Sequence, residues 1–269
     1  MMGTMLLDWP LFISECVVIG SVAGLIYGVF GGGSGLALVP GFYYLLRHFT
    51  LIDVFQMQVA IASCGATAML LGISAVYLHW RQGNIRVDLI KRMLPGLFIG
   101  SVVAIALLNV MASSVVKHIF SVVVILLGVW FWQYQQETDR AKWSLLSAYH
   151  HFLTFLQGLL WFLMGIPVFT VPYLSKCDVP LRAAIGCGAF FGVSLSITGA
   201  LMFIVTGWTR FEHVPGQLGF INLYLVSFTV LPSAIMAGLG VKLGGAIPQM
   251  HLQKLYAGLV LIVGVVMLF

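Results

Sequence analysis

The chain has 269 residues, of which 61% are hydrophobic and only 8% charged, with a formal net charge of +5. A soluble domain carries roughly 25% charged residues, so this composition excludes a water-surrounded globule and requires a polytopic, all-α membrane protein in contact with the lipid bilayer. The basic excess does not mark a nucleic-acid binder, because Lys and Arg sit in short loops between apolar runs, where membrane topology accounts for them.

In chain order, the first apolar run is Leu11–Phe30. Gly31-Gly32-Gly33-Ser34-Gly35 interrupts it, and a short run, Leu36–Leu46, follows with Pro40 inside it. Three longer runs come next: Met57–Leu78, Leu94–Met111 and Val115–Trp132. The most polar stretch of the chain lies between Gln133 and Trp143. Beyond it the runs are Phe152–Gly165, the short Val168–Leu174, Ala183–Thr206, Phe220–Val241 and Leu255–Phe269. An upright crossing needs about 20 residues. The two short runs therefore read as return arms of re-entrant hairpins, or as short helices inside the bundle.

The two halves read as copies. Val39-Pro40 matches Val171-Pro172, Cys64-Gly65 matches Cys187-Gly188, and Leu94-Pro95 matches Leu231-Pro232. Lys117 matches Lys254, and Gly128-Val129 matches Gly264-Val265. The division is a first repeat over 1–132, a polar cytoplasmic linker over 133–146 and a second repeat over 147–269. Tracing the crossings puts Arg81, Arg86, Lys91, Arg92, Arg140, Lys142, Lys176, Arg182, Lys242 and Lys254 on one side, against Arg47, Lys117 and Arg210 on the other. The positive-inside rule makes the first side cytoplasmic and puts both termini outside. It also gives the halves opposite orientations. Inverted-topology repeats with broken helices are a pattern of secondary transporters that bind solute near the midplane.

Unpaired backbone in lipid costs several kcal/mol per group, so the glycine cluster must face protein or a cavity. A half-helix beginning there presents free N–H groups and about half a positive charge. Gly31, Gly32, Gly33, Ser34 and Gly35 are thus candidate ligands for a small anion, through main-chain N–H and the Ser34 hydroxyl. The competing reading is close helix packing, which small residues also permit. Ser63, Cys64 and Cys187 can form an opposite wall of hydroxyl and thiol donors; for the cysteines, inert core thiols are the default. Gln58 is a further donor. Pro40 and Pro172 shape the short helices, and Gly165 and Thr170 are second-half candidates by position. The four cysteines have no C-x-x-C spacing, so no metal or redox cofactor is indicated. No charged residue falls in the middle of a long run, with Glu15 near an outer end. The solute is then held by dipoles and neutral donors, and export runs passively down its electrochemical gradient. The N-terminus lacks a basic n-region and a cleavage site. Small residues at Gly238, Gly240, Gly244 and Gly245 can pack within one chain or between copies in a homo-oligomer.

Gly24-Leu25, Gly28, Gly31-Gly32-Gly33 and Leu38-Val39-Pro40 together resemble the glycine-rich signature of the sulfite exporter TauE/SafE family. Ala60-Ile61-Ala62-Ser63 resembles that family's A-x-x-S segment, and Gly83-Asn84 and Asn222 resemble its loop motif. The resemblance covers nearly the whole chain. It implies a transporter, and specifically an exporter, of small sulfur-containing anions such as sulfite or organosulfonates in the bacterial inner membrane. The second half departs from the pattern: Leu163-Met164-Gly165, then Pro167 and Thr170, stand where a second glycine triplet is expected. Two rivals remain. Gly32-Gly33-Ser34-Gly35 fits the G-x-S-G pattern of rhomboid intramembrane proteases, but that chemistry needs a histidine base, and all seven His lie in loops or at run ends. An assembly or chaperone role for a membrane complex is the other; no enzyme activity is expected.

Overall fold

A computed structural model describes residues 2–30, 32–49, 54–133, 149–164, 179–212, 214–247 and 249–269, together with residues 170, 173, 174 and 177. The helices among them are α1 (Met2–Phe30), α2 (Gly35–Phe49), α3 (Gln56–Arg81), α4 (Val87–Val110), α5 (Ser113–Gln133), α6 (Tyr149–Met164), α7 (Leu181–Gly207), α8 (Leu223–Ala246) and α9 (Gln249–Leu268). The loop from α7 to α8 holds a 3-10 turn, Trp208–Arg210, and a short antiparallel ladder of β1 (Gln217–Leu218) with β2 (Ile221–Asn222). That ladder is the one departure from an all-α chain among the described residues. The short run Val168–Leu174 is described only at Thr170, Tyr173 and Leu174, and the polar linker beyond Gln133 lies outside the described residues up to Tyr149.

Among the described residues, six segments are long and apolar enough to cross a membrane: Trp9–Phe30, Gln56–Arg81, Val87–Val110, Ser113–Gln133, Arg182–Arg210 and Leu223–Leu243. Their outward faces are apolar too. Val18, Ile73, Ile99, Leu126, Val205 and Ile235 are exposed, as befits helices that are hydrophobic all round and meet lipid. Some helices outrun their apolar stretch. α4 begins at Val87 rather than Leu94, and the added turns carry exposed Asp88, Lys91 and Arg92 above buried Leu89, Ile90 and Met93. The helix continues past the hydrocarbon into the polar interface, and Asp88 in its first turn suits the dipole.

α2 has 15 residues, a length of about 22 Å against a hydrocarbon core of about 30 Å. It returns along α1: Gly41 lies against Ile19, and the Phe49 ring meets Phe12 at 5.6 Å. The turn between them is therefore inside the membrane rather than at its far surface.

The main helix pairs are α1 with α8, α4 with α6, α3 with α7, and α5 with α9. Counting the short segment near Thr170 as the second element of its half, these pairs are first with fourth, fourth with first, third with third and fifth with fifth. Exchanging the halves leaves every pair unchanged. Glycines make the pairs close. Gly20 lies against Thr229 and Pro232, Gly24 against Ser233, and Gly28 against Ala237 and Gly240, so α1 and α8 run in the same direction. Gly96 against Thr154 and Gly100 against Leu159 show the same for α4 and α6. Gly128 against Leu261 and Gly264 against Ile125 show α5 and α9 running in opposite directions. The stripe Gly20, Gly24, Gly28 follows the four-residue helical spacing that lets membrane helices approach backbone to backbone. Ser233 then donates its hydroxyl to the Gly20 carbonyl at 2.7 Å.

Candidate functional site

Gly33 has φ +81°, in the left-handed region that residues with a Cβ enter only at a cost. Its carbonyl accepts the Leu36 N–H at 3.0 Å, and the Ser34 carbonyl accepts the Ala37 and Leu38 N–H groups at 3.1 and 2.9 Å. α2 thus opens at Ser34; the N–H groups of Leu36, Ala37 and Leu38 are taken by these bonds, and those of Ser34 and Gly35, with no bond among the described residues, are the main-chain donors left at the glycine turn. Ser34, Gly35 and Leu36 are buried and Gly32 is partly so, while Gly31 lies outside the described residues.

The side chain facing this turn is Tyr256 of α9. A methyl added to Gly33 would stand 2.8 Å from the Tyr256 hydroxyl oxygen. The ring is fixed by Phe30, with centroids 4.6 Å apart, and by Phe131 at 5.5 Å. The turn therefore offers main-chain donors, the Ser34 hydroxyl and a phenol in one buried place. Sequence reasoning missed Tyr256. The available signal was a tyrosine within the last apolar run, since a buried tyrosine hydroxyl needs a polar neighbour.

The other candidates sit elsewhere. Ser63 is buried, and its Oγ accepts the Asn222 N–H at 2.9 Å. Asn222 in turn caps α8, its Oδ1 accepting the Leu225 N–H at 3.0 Å. In the other half, Cys187 Sγ accepts the N–H of Arg86, the residue that leads into α4, at 3.4 Å. Each third helix thus holds the start of the opposite half's fourth helix. By this contact the counterpart of Cys187 is Ser63, one residue before the Cys64 that sequence matching pairs with it. Cys64 is buried, and beside it a methyl on Gly65 would meet nothing within 4 Å. That open space lies near the middle of α3.

Gln58 is fully buried; its Nε2 donates to the Leu108 and Met111 carbonyls at 3.1 and 2.8 Å, closing the end of α4, and its Oε1 has no hydrogen-bond partner. Thr170 is buried and donates to Gln157 Oε1 at 3.5 Å. Pro40 lies midway along α2 and lines a groove. Gly165 and Pro172 lie outside the described residues. Among the described residues, no hydrogen bond joins the glycine turn to Gln58, Ser63, Cys64 or Cys187. Glu15 lies further in than the apolar run indicated, because α1 already begins at Met2; its Oε2 is buried with no hydrogen-bond partner. No three His, Cys, Asp or Glu side chains among the described residues are grouped to hold a metal ion.

Comparison with known proteins bears on this arrangement. Residues 16–267 match the family described as "Sulfite exporter TauE/SafE". A "Probable membrane transporter protein" of Haemophilus influenzae is 28% identical over 94% of this chain and 97% of its own length. A similarly named protein of Methanocaldococcus jannaschii is 20% identical over 97% of each chain. No solved structure matches.

Proposed function

The chain belongs to the sulfite exporter TauE/SafE family and is a multi-pass membrane transporter; from that premise we propose that its cargo is a small sulfur-containing anion such as sulfite or an organosulfonate. The observation that carries the reading is the glycine turn. Gly33 in a left-handed conformation begins a short helix within the membrane, under a tyrosine hydroxyl. Anions favour helix N-termini, and a broken helix near the membrane centre is where secondary transporters place them.

Two oppositely oriented repeats are part of the proposal. Its support is the exchange-invariant pairing, in which a helix and its own counterpart, α5 and α9, run antiparallel while the crossed pairs run parallel. A two-fold axis in the membrane plane produces that combination. The face carrying Arg81 to Arg92 is then cytoplasmic by the positive-inside rule, the termini lie outside, and the membrane is the bacterial inner membrane. An inside-negative potential drives anions outward by about 2.3 kcal/mol per charge at 100 mV, so export needs no coupling ion. The test is a thermal-shift panel of sulfite, thiosulfate, sulfate and sulfonates on the purified protein. A selective rise with one sulfur anion supports the reading through ligand linkage; no rise with any of them, together with a co-purifying partner, favours an assembly role.

A further inference from the structure

Among the described residues, Arg47, Lys117 and Arg210 carry fixed positive charge at the face where α2 and α4 end and α5 begins. Arg210 is committed: it donates to the Asn109 carbonyl at 3.1 Å and lies 4.7 Å over the Phe55 ring. The other two converge. Arg47 and His48 from the last turn of α2, Lys117 from α5, and Pro40 and Tyr43 line one open groove of about 500 Å³, bordered on its other side by Val266, Met267 and Phe269. Lys117 Nζ lies 5.7 Å over the Tyr43 ring, and His48 stacks on Tyr44 at 4.4 Å. No acidic side chain lines the groove, and the single ion pair among the described residues, Arg86–Asp88, is at the opposite face.

Bland readings do not account for this convergence. The positive-inside bias depletes Lys and Arg at this face rather than gathering them. A helix dipole favours Arg47 and His48 at the end of α2 but gains nothing from Lys117 in the second turn of α5. The groove also has direction. Pro40 lies seven residues before Arg47, about 10 Å deeper along α2, and Ser34 is about 9 Å deeper again. The volume is many times a water's share of about 30 Å³, enough for a hydrated oxyanion.

We propose that this groove is a second anion site, a vestibule in which Arg47 and Lys117 hold a sulfur oxyanion at the membrane surface before or after it passes the glycine turn. The proposal rests on the transport reading for its biological role, but the binding it asserts can be measured without transport. The probe is radiolabelled sulfate retained by the purified protein in a neutral detergent. Wild-type protein should retain sulfate with two components, and the double variant Arg47→Gln/Lys117→Gln should weaken one of them about tenfold, the scale of two exposed charges, with the difference shrinking at high salt. In proteoliposomes of phosphatidylcholine, the double variant should show a similar rise in half-saturating sulfite concentration with its maximal rate kept. Equal retention by wild type and double variant overturns the vestibule, whatever the protein transports. Retention of labelled phosphatidylglycerol without any of sulfate also overturns it, making the groove a seat for a lipid headgroup. Loss of sulfite transport in wild type with sulfate retention intact would count against the transport reading alone.

Discussion

Replacing Gly33 by alanine isolates the geometry on which the site depends. Two costs add. The left-handed conformation at φ +81° is unfavourable for a residue with a Cβ by roughly 1–2 kcal/mol. The new methyl would also stand 2.8 Å from the Tyr256 hydroxyl oxygen, and overpacking of this kind costs about 1–3 kcal/mol. Tyr256 cannot swing away freely, because Phe30 and Phe131 hold its ring. Removing the hydroxyl separates the two terms: in Gly33→Ala/Tyr256→Phe the nearest remaining ring atom is 3.2 Å away, so most of the clash is relieved while the backbone strain persists. The assay is thermal denaturation followed with a thiol-reactive dye, since Cys16, Cys64 and Cys187 are free and buried in the folded state. It is paired with sulfite flux in proteoliposomes. Gly33→Ala should melt lower and transport more slowly, and Tyr256→Phe should restore more melting temperature in that background than it changes in wild type. Wild-type melting and flux in Gly33→Ala would refute the reasoning, as would an effect of Tyr256→Phe that is the same in both backgrounds.

Four further outcomes follow from the same geometry. Gly24→Leu should cost about 3 kcal/mol or the folded protein itself, because its side chain would occupy the position of the Ser233 backbone, whereas Gly238→Ala, where a methyl meets nothing within 4 Å, should melt within the range of about 0.5 kcal/mol of wild type. Ser63→Ala leaves the buried Asn222 main-chain N–H unpaired and should destabilise by about 1–3 kcal/mol, read from the melting temperature. Gln58→Leu releases the Leu108 and Met111 carbonyls, so it should lower the melting temperature without changing the half-saturating sulfite concentration; a changed half-saturation at unchanged stability would make Gln58 a ligand instead. Glu15→Gln should keep sulfite flux within about twofold across pH, since passive export requires no titrating carboxylate, and a flux that loses its pH dependence in this variant would show proton coupling through Glu15.

Much of the fold was legible because the bilayer simplifies the physics. Any segment of sufficient apolar length becomes a helix, so the runs marked Met57–Leu78 and Val115–Trp132 reappear as α3 and α5 with small extensions. The glycine turn was legible as a break between apolar runs, with close helix packing as the competing use of the same small residues. What could not be read was anything set by long-range approach. Tyr256 meets Gly33 only because α9 packs against α5 and α2, and neither residue signals the other. The ladder at Gln217–Asn222 depends on tertiary bonds, including Phe220 N–H to the Phe203 carbonyl and Leu223 N–H to the Gly216 carbonyl, which no local pattern announces. The match of Cys64 with Cys187 followed residue identity, whereas the contacts pair Ser63 with Cys187, because sulfur and hydroxyl oxygen accept the same main-chain N–H. Gly20, Gly24 and Gly28 lie on the sequence beside the glycine turn, yet they serve the α1–α8 contact; spacing alone does not separate a packing glycine from a turning one.

Sulfite flux through the purified protein in phosphatidylcholine vesicles, with the membrane potential clamped by potassium and valinomycin, addresses transport most directly. The rate should saturate with sulfite, follow the imposed potential without a pH gradient, and vanish in Gly33→Val protein that still inserts and folds. Flux equal to that of protein-free vesicles, or undiminished in Gly33→Val, would contradict a sulfur-anion path through the glycine turn.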